Sequence, residues 1–212
     1  YYIKNDLLVG TLLVSVLIGA IRFRKLDAGS RVFLLLCIFW FCDESLAYYS
    51  AIKFHNNLLV YNIGDLIEIF LICVYFNFTI PSFRKKKIGI IIGIISIVVG
   101  IANNALIQSV HTVSNYFLMY EAALSIILSM ISLSSFLNIE DKRRPLREVH
   151  FWIPTLLMFS WSLIFLLFTI IAFYGNHEPK AVTFMLFLVN LFTNVSCIGI
   201  FLFYPKLYAH VR

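Results

Sequence analysis

Seven stretches of this 212-residue chain are apolar for long enough to cross a lipid bilayer, and that limits its fold more than any other feature. The hydrocarbon core is ~30 Å thick, so a spanning helix needs about 20 mostly apolar residues. Inside that layer the backbone N–H and C=O groups can pair only with each other, which leaves helices as the economical solution. The candidate spans are 5–23, 31–51, 57–80, 88–108, 114–137, 150–173 and 181–204. Charged residues make up 13% of the chain, against about 25% in a soluble domain, and the mean hydropathy is +0.90. The connectors are too short to hold a folded domain. The fold class expected is therefore all-α: a polytopic membrane protein, with seven transmembrane helices forming one bundle over residues 1–212. Pro81 and Pro205 are expected to close the third and seventh spans.

The basic residues alternate with the spans. Arg22, Arg24, Lys25 and Arg31 lie in the first connector, Arg84, Lys85, Lys86 and Lys87 in the third, and Lys142, Arg143, Arg144 and Arg147 in the fifth. With Lys206 and Arg212 at the C-terminus, 14 of the 17 Lys and Arg residues fall on one side; Lys4, Lys53 and Lys180 fall on the other. The positive-inside rule then puts the N-terminus outside and the C-terminus in the cytoplasm, in a plasma (inner) membrane. The clusters read first as topology anchors to anionic lipid headgroups, with a docking surface for a cytoplasmic signalling partner as the alternative, and not as a nucleic-acid surface. The cysteines, Cys37, Cys42, Cys73 and Cys197, all fall in apolar runs and are expected to be reduced packing residues.

Five acidic residues lie inside the spans, with no Lys or Arg beside them: Asp43, Glu44, Asp65, Glu68 and Glu121. A carboxylate at mid-membrane costs about 2.5–3.5 kcal/mol on the insertion scale, so such residues need a polar setting and point to function. At a rise of ~1.5 Å per residue all five sit at middle to outer depth. Asp65 and Glu68 share a helix face, which Tyr61 and Asn57 extend outward and Asn62 flanks. Asp43 and Glu44 point about 100° apart, so Glu44, which shares a face with Trp40, is expected in the bundle centre and Asp43 at a helix contact. Glu121 heads a polar line with Ser125, Ser129 and Ser132, and Tyr120 lies next to it. Asn103, Asn104, Asn190, Thr193 and Asn194 enter at similar depths. The expected site is an outward-facing acidic chamber for a small cationic or polar ligand. Its residues are Glu44, Asp65, Glu68, Glu121, Tyr61, Asn62, Asn103, Asn104, Trp40, Tyr120, Asn190 and Asn194.

No cofactor is expected. His55, His111 and His177 lie in the outer connectors and are weak candidates for a metal site with the carboxylates. No zinc-type Cys/His spacing occurs. The "NFT" sequon at 77–79 falls at the cytoplasmic edge and is expected to be unused.

The third and seventh spans end in "CVYFNFTIP" and "CIGIFLFYP", and the second and sixth carry mid-helix Trp40 and Trp161. Two three-helix repeats about a linker helix would result, an arrangement that resembles small sugar transporters of the SWEET type. The chain lacks those transporters' prolines within the repeat helices and their Pro-Gln pair. A rhodopsin would need a lysine within the seventh span, and Lys206 lies beyond Pro205. A membrane ceramidase would need an intramembrane HxxxH pair, which is missing. The leading expectation is a sensor or receptor-like protein that relays to a cytoplasmic partner. The alternative is a secondary transporter or proton- or cation-coupled carrier. An intramembrane enzyme or an assembly subunit comes last, because no nucleophile–base pair is visible and the chain is expected not to be an enzyme.

Overall fold

A computed structural model describes residues 2–109, 112–137, 145–174 and 180–208. The described residues form helices and turns, with no strand among them. In chain order the helices are α1 (Tyr2–Ile21), α2 (Ala28–Phe54), α3 (Leu58–Thr79), α4 (Pro81–Lys86), α5 (Ile88–Ala102), α6 (Asn115–Leu137), α7 (Val149–Tyr174) and α8 (Lys180–Tyr208). A π-helical turn, Asn103–Ile107, extends α5. All but the short α4 are long and apolar enough to span a membrane, which gives seven.

Local chemistry sets the boundaries. Asp27 caps α2 by accepting a 2.8 Å hydrogen bond from the Ser30 amide. His55 ends α2 in the left-handed region at φ 54°. Lys87, also at φ 54°, turns the chain between α4 and α5. Pro81 stands at the start of α4, where its missing N–H is harmless, so it closes the third span as expected. Pro205 does not close the seventh: α8 runs on to Tyr208. Its backbone carbonyls near there have other donors, since Arg22 hydrogen-bonds to the carbonyls of Phe201 and Leu202.

Six helices form a closed ring in the order α1, α2, α3, α6, α7, α8, with α8 returning to α1. α5 stands outside it, packed against α3. Gly89, Gly93, Ser96 and Gly100 are buried along one stripe of α5, which permits a close approach. A Cβ on Gly89 would lie 2.5 Å from the Cys73 carbonyl oxygen, and the Gly89 amide donates to the Asn77 side chain at 3.2 Å. Asn77 is the sequon asparagine; buried and engaged in this way, it is closed to glycosylation. The other face of α5 exposes Ile91, Ile94, Ile95, Val98 and Ile101, as a lipid-facing helix should. Cys37, Cys73 and Cys197 are buried, whereas Cys42 is exposed, contrary to its reading as a packing residue. Its place on α2 next to Asp43 turns it to the outer side of the ring.

The ring is sealed at its basic end. Phe33, Tyr75, Phe76, Phe201 and Tyr204 are fully buried there, with Phe33 in ring contact with Tyr75 and Phe201. A polar knot ties four elements together beneath them. His150 of α7 meets Asp27 at 2.5 Å and lies 3.4 Å from the Tyr75 hydroxyl of α3. The Asp27 amide donates to the Tyr204 hydroxyl of α8 at 3.0 Å. Burial alone would raise the Asp27 carboxyl, but the hydrogen bond and charge of His150, with the Ser30 amide, outweigh it and hold the carboxyl down at about 2.

Two outcomes follow. Gly89→Ala meets a backbone carbonyl that cannot swing aside, so it should destabilise the bundle by about 1–3 kcal/mol. Gly10→Ala, with nothing within 4 Å, should not destabilise it; thermal unfolding in detergent compares the two. Asp27 contributes stability in full above its ordinary value of 3.8, and that share is lost as pH falls through about 2. Allowing for its partial exposure, the contribution is on the order of 1–2 kcal/mol. Melting curves at stepwise lower pH should show this acid-sensitive share in the native protein and not in Asp27→Asn.

Candidate functional site

Inside the ring lies a cavity of about 430 Å³. Each of the six ring helices contributes to its wall, and α5 does not. Trp40, Asp43 and Glu44 come from α2; Leu58, Tyr61, Asn62, Asp65 and Glu68 come from α3. Ser160, Trp161 and Phe168 come from α7, and Thr183, Asn190, Thr193 and Asn194 from α8. Leu8 and Leu12 of α1 and Leu118 of α6 complete it. The wall runs from mid-bundle to Asn57, Val113 and Thr183, at the end opposite the basic clusters.

Helix geometry brings the acids together. Asp65 and Glu68, three residues apart on α3, face inward on neighbouring turns. The neighbouring α2 presents Asp43 and Glu44 at the same depth. The four carboxylates lie close enough to act on one another's charge. Two hydrogen bonds fix part of the set: the Trp40 indole N–H donates to Glu68 Oε1 at 2.7 Å, and the Tyr61 hydroxyl donates to Glu44 Oε2 at 3.3 Å. No Lys or Arg is among the lining residues. Two basic side chains of that end are held on aromatic rings instead, Lys4 over Phe184 at 5.0 Å and Lys53 over Phe54 at 5.4 Å.

The adjacent acids do not divide as the sequence reading expects. Asp43 does lie at a helix contact, since a Cβ on Gly64 would fall 2.5 Å from its Oδ1, but it lines the cavity as well as Glu44. The bare backbone of Gly64 gives the Asp43 carboxylate room to turn inward. Of the residues singled out from the sequence, Glu44, Asp65, Glu68, Tyr61, Asn62, Trp40, Asn190 and Asn194 line the cavity.

Four do not. Asn103 and Asn104 close the end of α5. The Asn103 side-chain amide donates to Ser114 Oγ at 2.8 Å, and that of Asn104 donates to the Asn62 carbonyl at 3.4 Å. The widened π turn leaves carbonyls and side chains to satisfy there, and these asparagines serve that end. Tyr120 turns to α5, with its hydroxyl 2.9 Å from Ser96 Oγ. Glu121 is fully buried away from the cavity wall. Helical spacing gave its depth but not which neighbour its face would meet.

Sequence reasoning passed over Ser160, whose hydroxyl lies 2.7 Å from Thr193 Oγ1 across α7 and α8. A lone serine in an apolar run carries no signal by itself; only its apposition to Thr193 does. It also passed over Asp27, although an acid just before an apolar helix is a capping signal. Among the described residues no group of three or more His, Cys, Asp or Glu is arranged to hold a metal. His55 caps α2 at the helix end, and His111 and His177 lie outside the described residues.

Chemically, the cavity offers up to four negative charges and two indole rings, Trp40 and Trp161, in a space of small-molecule size. A cation satisfies both features, by charge pairing and by contact with the aromatic faces. Comparison with protein-family models, with curated proteins and with solved structures finds no match.

Proposed function

We propose that this seven-helix membrane protein is a sensor or receptor-like protein that binds a small organic cation in the acidic cavity and relays its presence to a cytoplasmic partner. The observation that carries this reading is the convergence of Asp43, Glu44, Asp65 and Glu68 on one cavity that also presents two tryptophans and no basic residue. Uncompensated carboxylates in an apolar bundle are expensive, and a bound cation offsets that cost. With the basic clusters inside by the positive-inside rule, the cavity faces outward and ligand enters from outside. The sealed basic end and its loops, rich in Lys and Arg, form the surface a partner would meet. Binding would be read there through α2 and α3, which carry the acids at one end and touch the Asp27–His150–Tyr75 knot at the other. In this reading the chain catalyses no reaction and needs no cofactor.

A carrier is the second reading. It is favoured by the one-sided cavity, sealed at the basic end, and by Trp40 and Trp161, at matching places in the two candidate repeats, both lining it. Alternating access would require the Asp27–His150 knot to open.

The test uses purified protein in lipid nanodiscs and a panel of primary to quaternary alkylamines, followed by tryptophan fluorescence. Saturable quenching is expected, with affinity reduced at least tenfold, about 1.4 kcal/mol, in Glu68→Gln and in Asp65→Asn. Quenching that is absent, or equal in native and substituted proteins, would sink the cation reading. Flux of the bound amine into proteoliposomes separates the two roles: flux abolished in Glu68→Gln favours the carrier, and binding without flux favours the sensor.

A further inference from the structure

Among the described residues, the buried polar side-chain atoms without a hydrogen-bond partner include one carboxyl group, that of Glu121. Glu121 lies inside α6 with no exposed surface, and neither of its carboxylate oxygens has a hydrogen-bond partner. Ser125 and Ser129, one and two turns further along the same face, are equally buried, and their hydroxyls are also unpartnered. Elsewhere in this chain helical hydroxyls bond back to their own helix: Ser45 to the Phe41 carbonyl, Ser96 to Ile92, Thr155 to Phe151 and Ser162 to Met158. That bond is open to a serine inside a helix. The hydroxyls of Ser125 and Ser129 forgo it and, with the Glu121 oxygens, leave a row of four bare oxygen atoms in the protein interior.

We propose that Glu121, with Ser125 and Ser129, is a second site, separate from the cavity, that takes up one monovalent cation, H⁺ or Na⁺. The shared chemistry is a single positive charge delivered to a dehydrated carboxylate. The ligand must be small, because Glu121 is sealed. It must be hard, because every donor is oxygen. It must carry one charge, because one carboxylate can neutralise only one. Among the described residues no basic side chain pairs with Glu121. From α3 the groups that act on Glu121 are Asp65, Glu68 and Cys73, none of them a cation. α5 contains no titratable residue, and α7 contains only His150 and Tyr174, at its two ends. Since Asp65 and Glu68 act on Glu121 through space, charge in the cavity and charge at this site are linked. An organic cation bound in the cavity weakens the hold of Glu121 on its own cation; that link rests on the function proposed above, whereas the site does not.

Infrared spectra of the purified protein in nanodiscs, with no amine added, test the site independently of the cavity. If the ligand is H⁺, a protonated-carboxyl band is present at neutral pH, is unchanged by Na⁺ and is missing from Glu121→Gln. If it is Na⁺, the carboxylate bands shift when Na⁺ replaces K⁺ at constant pH and ionic strength, and Glu121→Gln lacks the shift. Spectra with neither signature, or with either signature intact in Glu121→Gln, overturn the proposal. Should that variant fail to fold, Ser125→Ala combined with Ser129→Ala keeps the carboxyl and removes its neighbours. The same band should then move, and an unmoved band overturns the site.

Discussion

Carboxylates held within an apolar bundle must face something polar, and the arrangement of helices in this protein follows from that requirement. α3 carries Asp65 and Glu68 and has the most partners: α2 and α6 on either side in the ring and α5 behind. Against α2 it offers Gly64, which makes room for Asp43; against α5 it offers the Cys73 carbonyl and Asn77, on which Gly89 seats closely. Small residues thus stand where α2 and α5 approach α3, and both of its acids turn to the cavity. Without a hydrophobic drive between helices in lipid, such close contacts and hydrogen bonds hold the bundle together.

The two ends of the ring are built from opposite materials. At the basic end the interior is filled by Phe33, Tyr75, Phe76 and Phe201 and tied by Asp27, His150 and Tyr204. Toward the other end the same interior becomes a cavity whose polar groups come from four helices. The indole N–H of Trp40 marks the passage between them. Phe33 packs edge-on against the Trp40 ring from the filled side, with centroids 6.4 Å apart, while its N–H reaches Glu68 on the open side. A change in the charge of Glu68 therefore acts on a ring that belongs to the sealed core.

Much of this was legible in the sequence, and the residues show why. Apolar length gave the seven spans, since the bilayer imposes one dimension on all of them. The stripe from Asp65 to Glu68 was legible because a helix repeats its faces, and Trp40 and Glu44 followed by the same rule. Where a face meets its neighbour is set by tertiary packing. Tyr120 and Glu121 therefore had a depth but no direction, and the first turned to Ser96 while the second was closed off from the cavity. The split between Asp43 and Glu44 failed because it treated α2 alone and ignored Gly64 across from it. Pro205 was read as a stop, although a proline within a helix is tolerated when the freed carbonyls find other donors, as Arg22 supplies nearby.

The position of α5 has a mechanical consequence. In a single ring of helices, each staves off lipid with its own outer face, so any helix can be pressed or tilted by the bilayer directly. α3 is backed by α5, whose exposed isoleucines take that contact in its place. The helix that carries Asp65 and Glu68 is thereby cushioned from changes in bilayer thickness and lateral pressure. Among the described residues no second layer backs α7 and α8, so deformation of the surrounding lipid would reach the cavity first from the side of Ser160 and Thr193.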